Sequence, residues 1–126
     1  FIYIKNRSML TMDIKDIQAK LSKFAKQRDW DQFHSPKNLV MALTSEVGEL
    51  NELFQWLTEE QSSIKDDIGK VDEISQEIAD IFIYLLRIAD KLNIDIEDAV
   101  REKMKINAEK YPVDLAKGNA TKYNKR

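Results

Sequence analysis

Lys70–Leu92 reads KVDEISQEIADIFIYLLRIADKL, and one spacing orders all of it. Val71, Ile74, Ile78, Ile81, Leu85, Ile88 and Leu92 recur every three or four residues, with Phe82 and Ala89 beside them. That is the period of a helix face, and neither Gly nor Pro interrupts it, so a helix is expected over about 70–92. The same period appears on either side. Ile14, Ile17, Leu21, Phe24 and Ala25 predict a helix over about 13–28. Ser35-Pro36 reads as an N-cap followed by proline at the first helical position. The stripe Leu39, Leu43, Val47, Leu50, Phe54 and Leu57 then carries a second helix to about Glu60. Asp95 caps a last helix with stripe Ile96, Val100, Met104, Ala108 and Tyr111, which Pro112 ends. Asp29–Ser35 and Gln61–Gly69 are polar connections, and no segment alternates as a strand would. The fold class expected is all-α, a four-helix bundle.

Three domains of organisation follow: residues 1–12 as an N-terminal extension, 13–112 as the helical domain, and 113–126 as a Lys- and Asn-rich basic tail. The opening Phe1-Ile2-Tyr3-Ile4-Lys5-Asn6-Arg7 is apolar then basic, the reverse of a secretory signal. Residues 1–8 therefore read as upstream sequence, with Met9 or Met12 as natural starts. Four short helices bury only a modest core, while the stripes on the second and third are nearly continuous. A homodimer or homotetramer covering the excess is expected.

Composition narrows the function. At 126 residues the chain has room for one domain, and 43% hydrophobic with 33% charged residues argues against disorder. The absence of cysteine excludes disulfides and thiolate metal sites, and fits a reducing cytoplasm. A single histidine, His34, excludes multi-histidine metal cages. No apolar run approaches the roughly 18 residues a membrane span needs. Neither a membrane nor a nucleic-acid partner is expected. Charge is unevenly placed: residues 46–80 hold eleven acids against two lysines, and 101–126 hold eight basic residues against three acids. An acidic middle suits divalent cations and a basic end suits phosphates.

The acids are also arranged. Glu46 and Glu49 flank Val47-Gly48 on the second helix, with Glu52 three residues on; Glu77 and Asp80 flank Ile78-Ala79 on the third. Residues three apart share a helix face, and like charges there repel by a few tenths of a kcal/mol. Either pair alone is an ordinary solvated face. Together, beside the most apolar stretch of the chain, they call for a cation. Mg²⁺ takes oxygen ligands and shares its shell with phosphates, so Glu46, Glu49, Glu77 and Asp80 are the expected metal ligands. The small Gly48 and Ala79 leave room for close approach. Glu52 is a further candidate ligand.

The segment Arg28-Asp29-Trp30-Asp31-Gln32-Phe33-His34-Ser35-Pro36-Lys37-Asn38-Leu39, continued by Glu46-Val47-Gly48-Glu49 and Phe54-Gln55-Trp56, resembles the MazG-like all-α nucleoside triphosphate pyrophosphohydrolases, dCTP pyrophosphatase branch. The hallmark is ExxE, a spacer, then ExxD; here the spacer runs from Leu50 to Gln76. Likeness continues through Tyr84, Lys103-Met104-Lys105-Ile106-Asn107, Lys110-Tyr111-Pro112 and Lys122-Tyr123, so it covers nearly all of residues 14–123. The resemblance implies Mg²⁺-dependent hydrolysis of deoxynucleoside triphosphates to monophosphate and pyrophosphate, with Glu46, Glu49, Glu77 and Asp80 as metal-binding acids. It also implies that Trp30, Trp56, Tyr84 and Asn107 line the nucleoside pocket and that Lys103 contacts phosphate. A base-pocket histidine of this branch falls on Leu21 here, which predicts a relaxed base preference.

The residue chemistry fits those roles. Trp56 follows Glu49 by seven residues, hence on the same face and about 10 Å along a continuous helix. Indoles stack on any base for about 1–3 kcal/mol. Tyr84 is one turn after Asp80. Lys103 offers a point charge and Asn107 an amide edge. Glu49 or Glu46 is the catalytic group that orients the attacking water or takes its proton, while His34 reads as a packing residue. The alternatives are a dUTP- or phosphoribosyl-ATP-type pyrophosphatase, and a non-catalytic Mg²⁺-binding helical dimer.

Overall fold

The structure, a computed structural model, describes residues 12–125; residues 1–11, which include most of the expected extension, lie outside them. It is all-helical, with no strand among the described residues: α1 (Ile14–Gln27), a 3-10 turn (Asp31–Phe33), α2 (Pro36–Glu52), α3 (Ile68–Lys91), α4 (Ile96–Lys110), α5 (Val113–Ala116) and a last 3-10 turn (Tyr123–Lys125). No described helix is long and apolar enough to cross a membrane.

Caps set the boundaries. Asp13 accepts from the Asp16 amide at 2.8 Å while Asp16 accepts from the Asp13 amide at 3.4 Å, a reciprocal box opening α1. Ser35 Oγ accepts from the Asn38 amide at 3.2 Å, with Pro36 first in α2. Asp67 and Asp95 accept from Lys70 and Asp98 amides at 3.1 Å each and open α3 and α4. Beyond α1 and α3 the chain turns through left-handed Asp29 (φ 55°) and Asn93 (φ 54°), residue types that tolerate that region.

One expectation is corrected. α2 ends at Glu52, not near Glu60, although apolar spacing continues through Leu57. Its last turn holds Glu49 and Glu52 and no basic residue, unfavourable charge at the negative end of a helix dipole. Beyond it, Thr58 and Gln61 exchange side-chain-to-backbone bonds of 3.0 and 3.1 Å that hold turns instead. Within the expected basic tail, Val113–Ala116 forms α5 and Tyr123–Lys125 the closing turn.

The chain divides into two compact units, one ending at Asn93, the other beginning at Ile94. In the first, α3 packs mainly along α2 and also on α1, which touches the 3-10 turn. The fully buried apolar side chains are few: Ala25, Leu39, Leu86 and Ala89, joined by Arg87. Much of the apolar stripe stays open, with Met41, Val47, Ile78, Phe82 and Leu85 all exposed. In the second unit α4 is an amphipathic helix followed by α5 and a Tyr111–Tyr123 edge-to-face contact at 6.0 Å.

Candidate functional site

α2 and α3 lie side by side, so the acids three apart on each are brought together. Carboxylate oxygens of Glu46, Glu77 and Asp80 lie within 4.8 Å of one another, a set that could hold a metal ion. Glu46 Oε2 and Glu77 Oε2 are buried and meet no hydrogen-bond donor. Unpartnered buried carboxylate oxygens are costly, and an all-oxygen donor set suits a hard divalent cation. The electrostatics agree. Burial, and then the neighbouring carboxyl groups of Glu77, Glu49 and Asp80, push the Glu46 carboxyl up to about 7. Burial, then the Glu46 and Asp80 charges, raise the Tyr84 phenol.

Glu49, the fourth expected ligand, stands outside this triad. With Glu52, Glu73, Gln76 and Glu77 it lines a cleft of about 370 Å³. Glu73 was not singled out from the sequence; its position one turn before Glu77 was the available signal. Gly48 and Ala79 do not mediate close helix approach, because both are exposed and a Cβ on Gly48 would meet nothing within 4 Å.

Asp80 belongs to a second feature as well. It lines a largely apolar cavity of about 430 Å³ with Leu21, Phe24, Trp30, His34, Tyr84 and Arg87. Phe24 meets Trp30 edge-on at 5.7 Å, which sets the indole at the rim. Trp30, Tyr84 and Leu21 are thus gathered beside the carboxylates. Trp56 does not line this cavity: it sits in the turns after α2, 86% exposed. The continuous-helix argument for it fails with the early end of α2. Lys103 and Asn107 are exposed on α4, in the second unit.

A polar network backs the cavity, and sequence reasoning missed it. Arg87, only 4% exposed, donates to Asp31 Oδ1 at 3.0 Å and pairs with Asp90 at 3.4 Å. Lys91 donates to the same Asp31 oxygen at 2.6 Å. The bond to Lys91 leads in holding the Asp31 carboxyl below its ordinary value, with Arg87 assisting against desolvation. Burial and then the Arg87 and Lys91 charges lower His34.

A family model described as MazG-like matches residues 41–125, two thirds of the chain, including all four acids. This chain belongs to the MazG-like family. Curated relatives include dCTP pyrophosphatase 1 of Bos taurus, 42% identical over 87% of this chain, and of Homo sapiens, 40% identical over the same share. The MazG-like chain spans 66% and 65% of those two proteins, just under two thirds of their length. A solved pyrophosphatase from Archaeoglobus fulgidus superposes with a TM-score of 0.74 at 35% identity, covering 81% of this chain and 94% of that one.

Proposed function

We propose that this chain is a Mg²⁺-dependent nucleoside triphosphate pyrophosphohydrolase that converts several deoxynucleoside triphosphates, dCTP among them, to monophosphate and pyrophosphate. The observation that carries it is the position of Asp80, shared by the carboxylate triad and by the cavity that holds Trp30 and Tyr84. A site for a cation and a slot for a flat ring meet at one residue, as a nucleotide with a charged phosphate chain requires. The named activities of the relatives and of the structural neighbour support the reading.

Glu46, Glu77 and Asp80 would hold the cation. Magnesium, when bound there, supplies positive charge against the triphosphate and makes a water more acidic. Glu49, left out of the triad but lining the adjoining cleft, orients the attacking water and takes its proton. Trp30 and Tyr84 flank the base. Lys103 and Asn107 keep the roles their motif suggests, a phosphate contact and a base or sugar contact. The exposed stripe on α2 and α3 supports a homo-oligomer in which the helices complete a bundle, and an indole as open as Trp56 is a group a second copy would cover. We place the protein in the cytoplasm. The test is pyrophosphate release from the eight common nucleotides, with and without Mg²⁺: Mg²⁺-dependent release from several supports the reading, and none from any overturns it.

A further inference from the structure

We infer that His34 is a base-contacting residue, held by Arg87 as the neutral tautomer with its proton on Nε2 so that it donates a hydrogen bond to the base of a bound nucleotide. This rests on the functional reading above and assigns one more residue to its pocket.

The argument begins with donors. His34 Nδ1 lies 3.3 Å from Arg87 Nη2. A guanidinium carries only N–H groups and does not lose its proton, so it can donate and never accept. Nδ1 must therefore present a lone pair, which leaves the ring neutral with its hydrogen on Nε2. Arg87 cannot turn away: the same Nη2 donates to Asp31 at 3.0 Å, Nη1 pairs with Asp90, and the side chain is 96% buried. Asp31 is clamped in turn by Lys91. The ring is anchored by its backbone too, since the His34 amide donates to the Asp31 carbonyl at 3.1 Å. Burial and the two nearby cations lower the His34 pKa, in keeping with a neutral ring.

Nε2 has no hydrogen bond to any described residue, and it is not among the buried unpartnered atoms. His34 lines the cavity that Trp30, Leu21 and Tyr84 also line. Among the mainly apolar and aromatic groups of that wall, which also carries Lys20, Asp80 and Arg87, His34 adds a neutral ring N–H donor fixed by its neighbours. Its partner in a base is a ring nitrogen or carbonyl oxygen. Every natural base has such an acceptor, so the donor rewards a polar base edge over an apolar one without selecting a single base. Leu21 itself can only pack.

Two measurements test this. His34 is the chain's only histidine, so a long-range proton–nitrogen correlation spectrum of the full chain reads its tautomer without ambiguity. A protonated Nε2 and bare Nδ1 across pH 6.5–8 is expected, about the ordinary imidazole range; a charged ring or the opposite tautomer there overturns the inference. The second compares equilibrium binding of α,β-imido-dTTP, which is not cleaved, with the same triphosphate bearing a 2,4-difluorotoluene base, the same shape without good acceptors. The parent protein should prefer thymine by about 10- to 100-fold, the scale of one polar contact. His34→Phe should bring that ratio near one, and His34→Gln should restore part of it. A ratio unchanged in His34→Phe overturns the inference even if the protein cleaves nucleotides. A protein that shows the expected ratio but releases no pyrophosphate from natural nucleotides sinks the catalytic reading alone.

Discussion

Glu46 on α2 and Glu77 on α3 each bury one carboxylate oxygen, and neither oxygen meets a donor among the described residues. Folding has put two acids where only a proton or a cation relieves them. Binding of Mg²⁺ to the folded chain alone should therefore stabilise it, by about 2.7 kcal/mol at a hundredfold excess over Kd. Thermal melting should rise by several degrees with Mg²⁺. Glu77→Gln, which keeps the shape and removes a charge, should flatten that rise without lowering the metal-free melting point. An equal rise in the variant would take Glu77 out of the metal site.

The pH dependence has a definite sign. Glu46 titrates near 4.5 ordinarily and near 7 in the folded, metal-free chain. Between those values the folded state holds a proton that the unfolded state has lost, so stability falls as pH rises. The contribution of Glu46 is fully present below about pH 4.5 and is lost as pH passes about 7. Cation binding competes with that proton, so Mg²⁺ affinity should increase over the same window with protons released. Calorimetric titrations in buffers of different ionisation enthalpy count those protons. A Mg²⁺ affinity independent of pH from 5.5 to 8 would contradict the assignment.

Trp30 is the aromatic group the structure places at the cavity rim. Trp30→Ala should raise KM about 10-fold or more, the loss of one stacking contact, with a smaller change in kcat. Stacking tolerates any base, and Leu21 offers no polar partner. Values of kcat/KM for dCTP, dATP, dTTP, dGTP and dUTP should thus keep best and second best within about 100-fold. A wider preference for dCTP would mean that another residue, Asn107 for instance, reads the base.

Exposed apolar side chains on both α2 and α3 predict self-association. Light scattering at micromolar concentration should give a mass at least twice the 14.7 kDa of one chain. A stable monomer would remove the oligomer, and with it the burial proposed for Trp56.

Much of this was legible in the sequence because it is local. The stripe of α3, the Ser35-Pro36 start of α2 and the cap at Asp95 need only near neighbours. The pairing of Glu46 with Glu77 and Asp80 could be anticipated because two three-residue spacings on adjacent helices leave few arrangements. The end of α2 was hidden, since Leu53, Phe54 and Leu57 keep a helical period while packing from turns, half-buried. Periodicity reports burial, and burial does not require a helix. The Arg87 network was hidden for another reason. Its partners Asp31 and His34 lie 56 and 53 residues away, on a turn whose approach to α3 no local pattern encodes.

The central claim is hydrolysis at the α–β linkage by a site in which Glu49 acts on water. Phosphorus NMR of dCTP incubated with the purified chain reads it directly. With Mg²⁺, dCMP and pyrophosphate should appear in equal amounts; without Mg²⁺, or with folded Glu49→Gln, neither should accumulate above about 1% of that rate, since losing a general base costs 10²–10⁴-fold. Release of inorganic phosphate in place of pyrophosphate, or Glu49→Gln turning over as fast as the parent, would contradict the account.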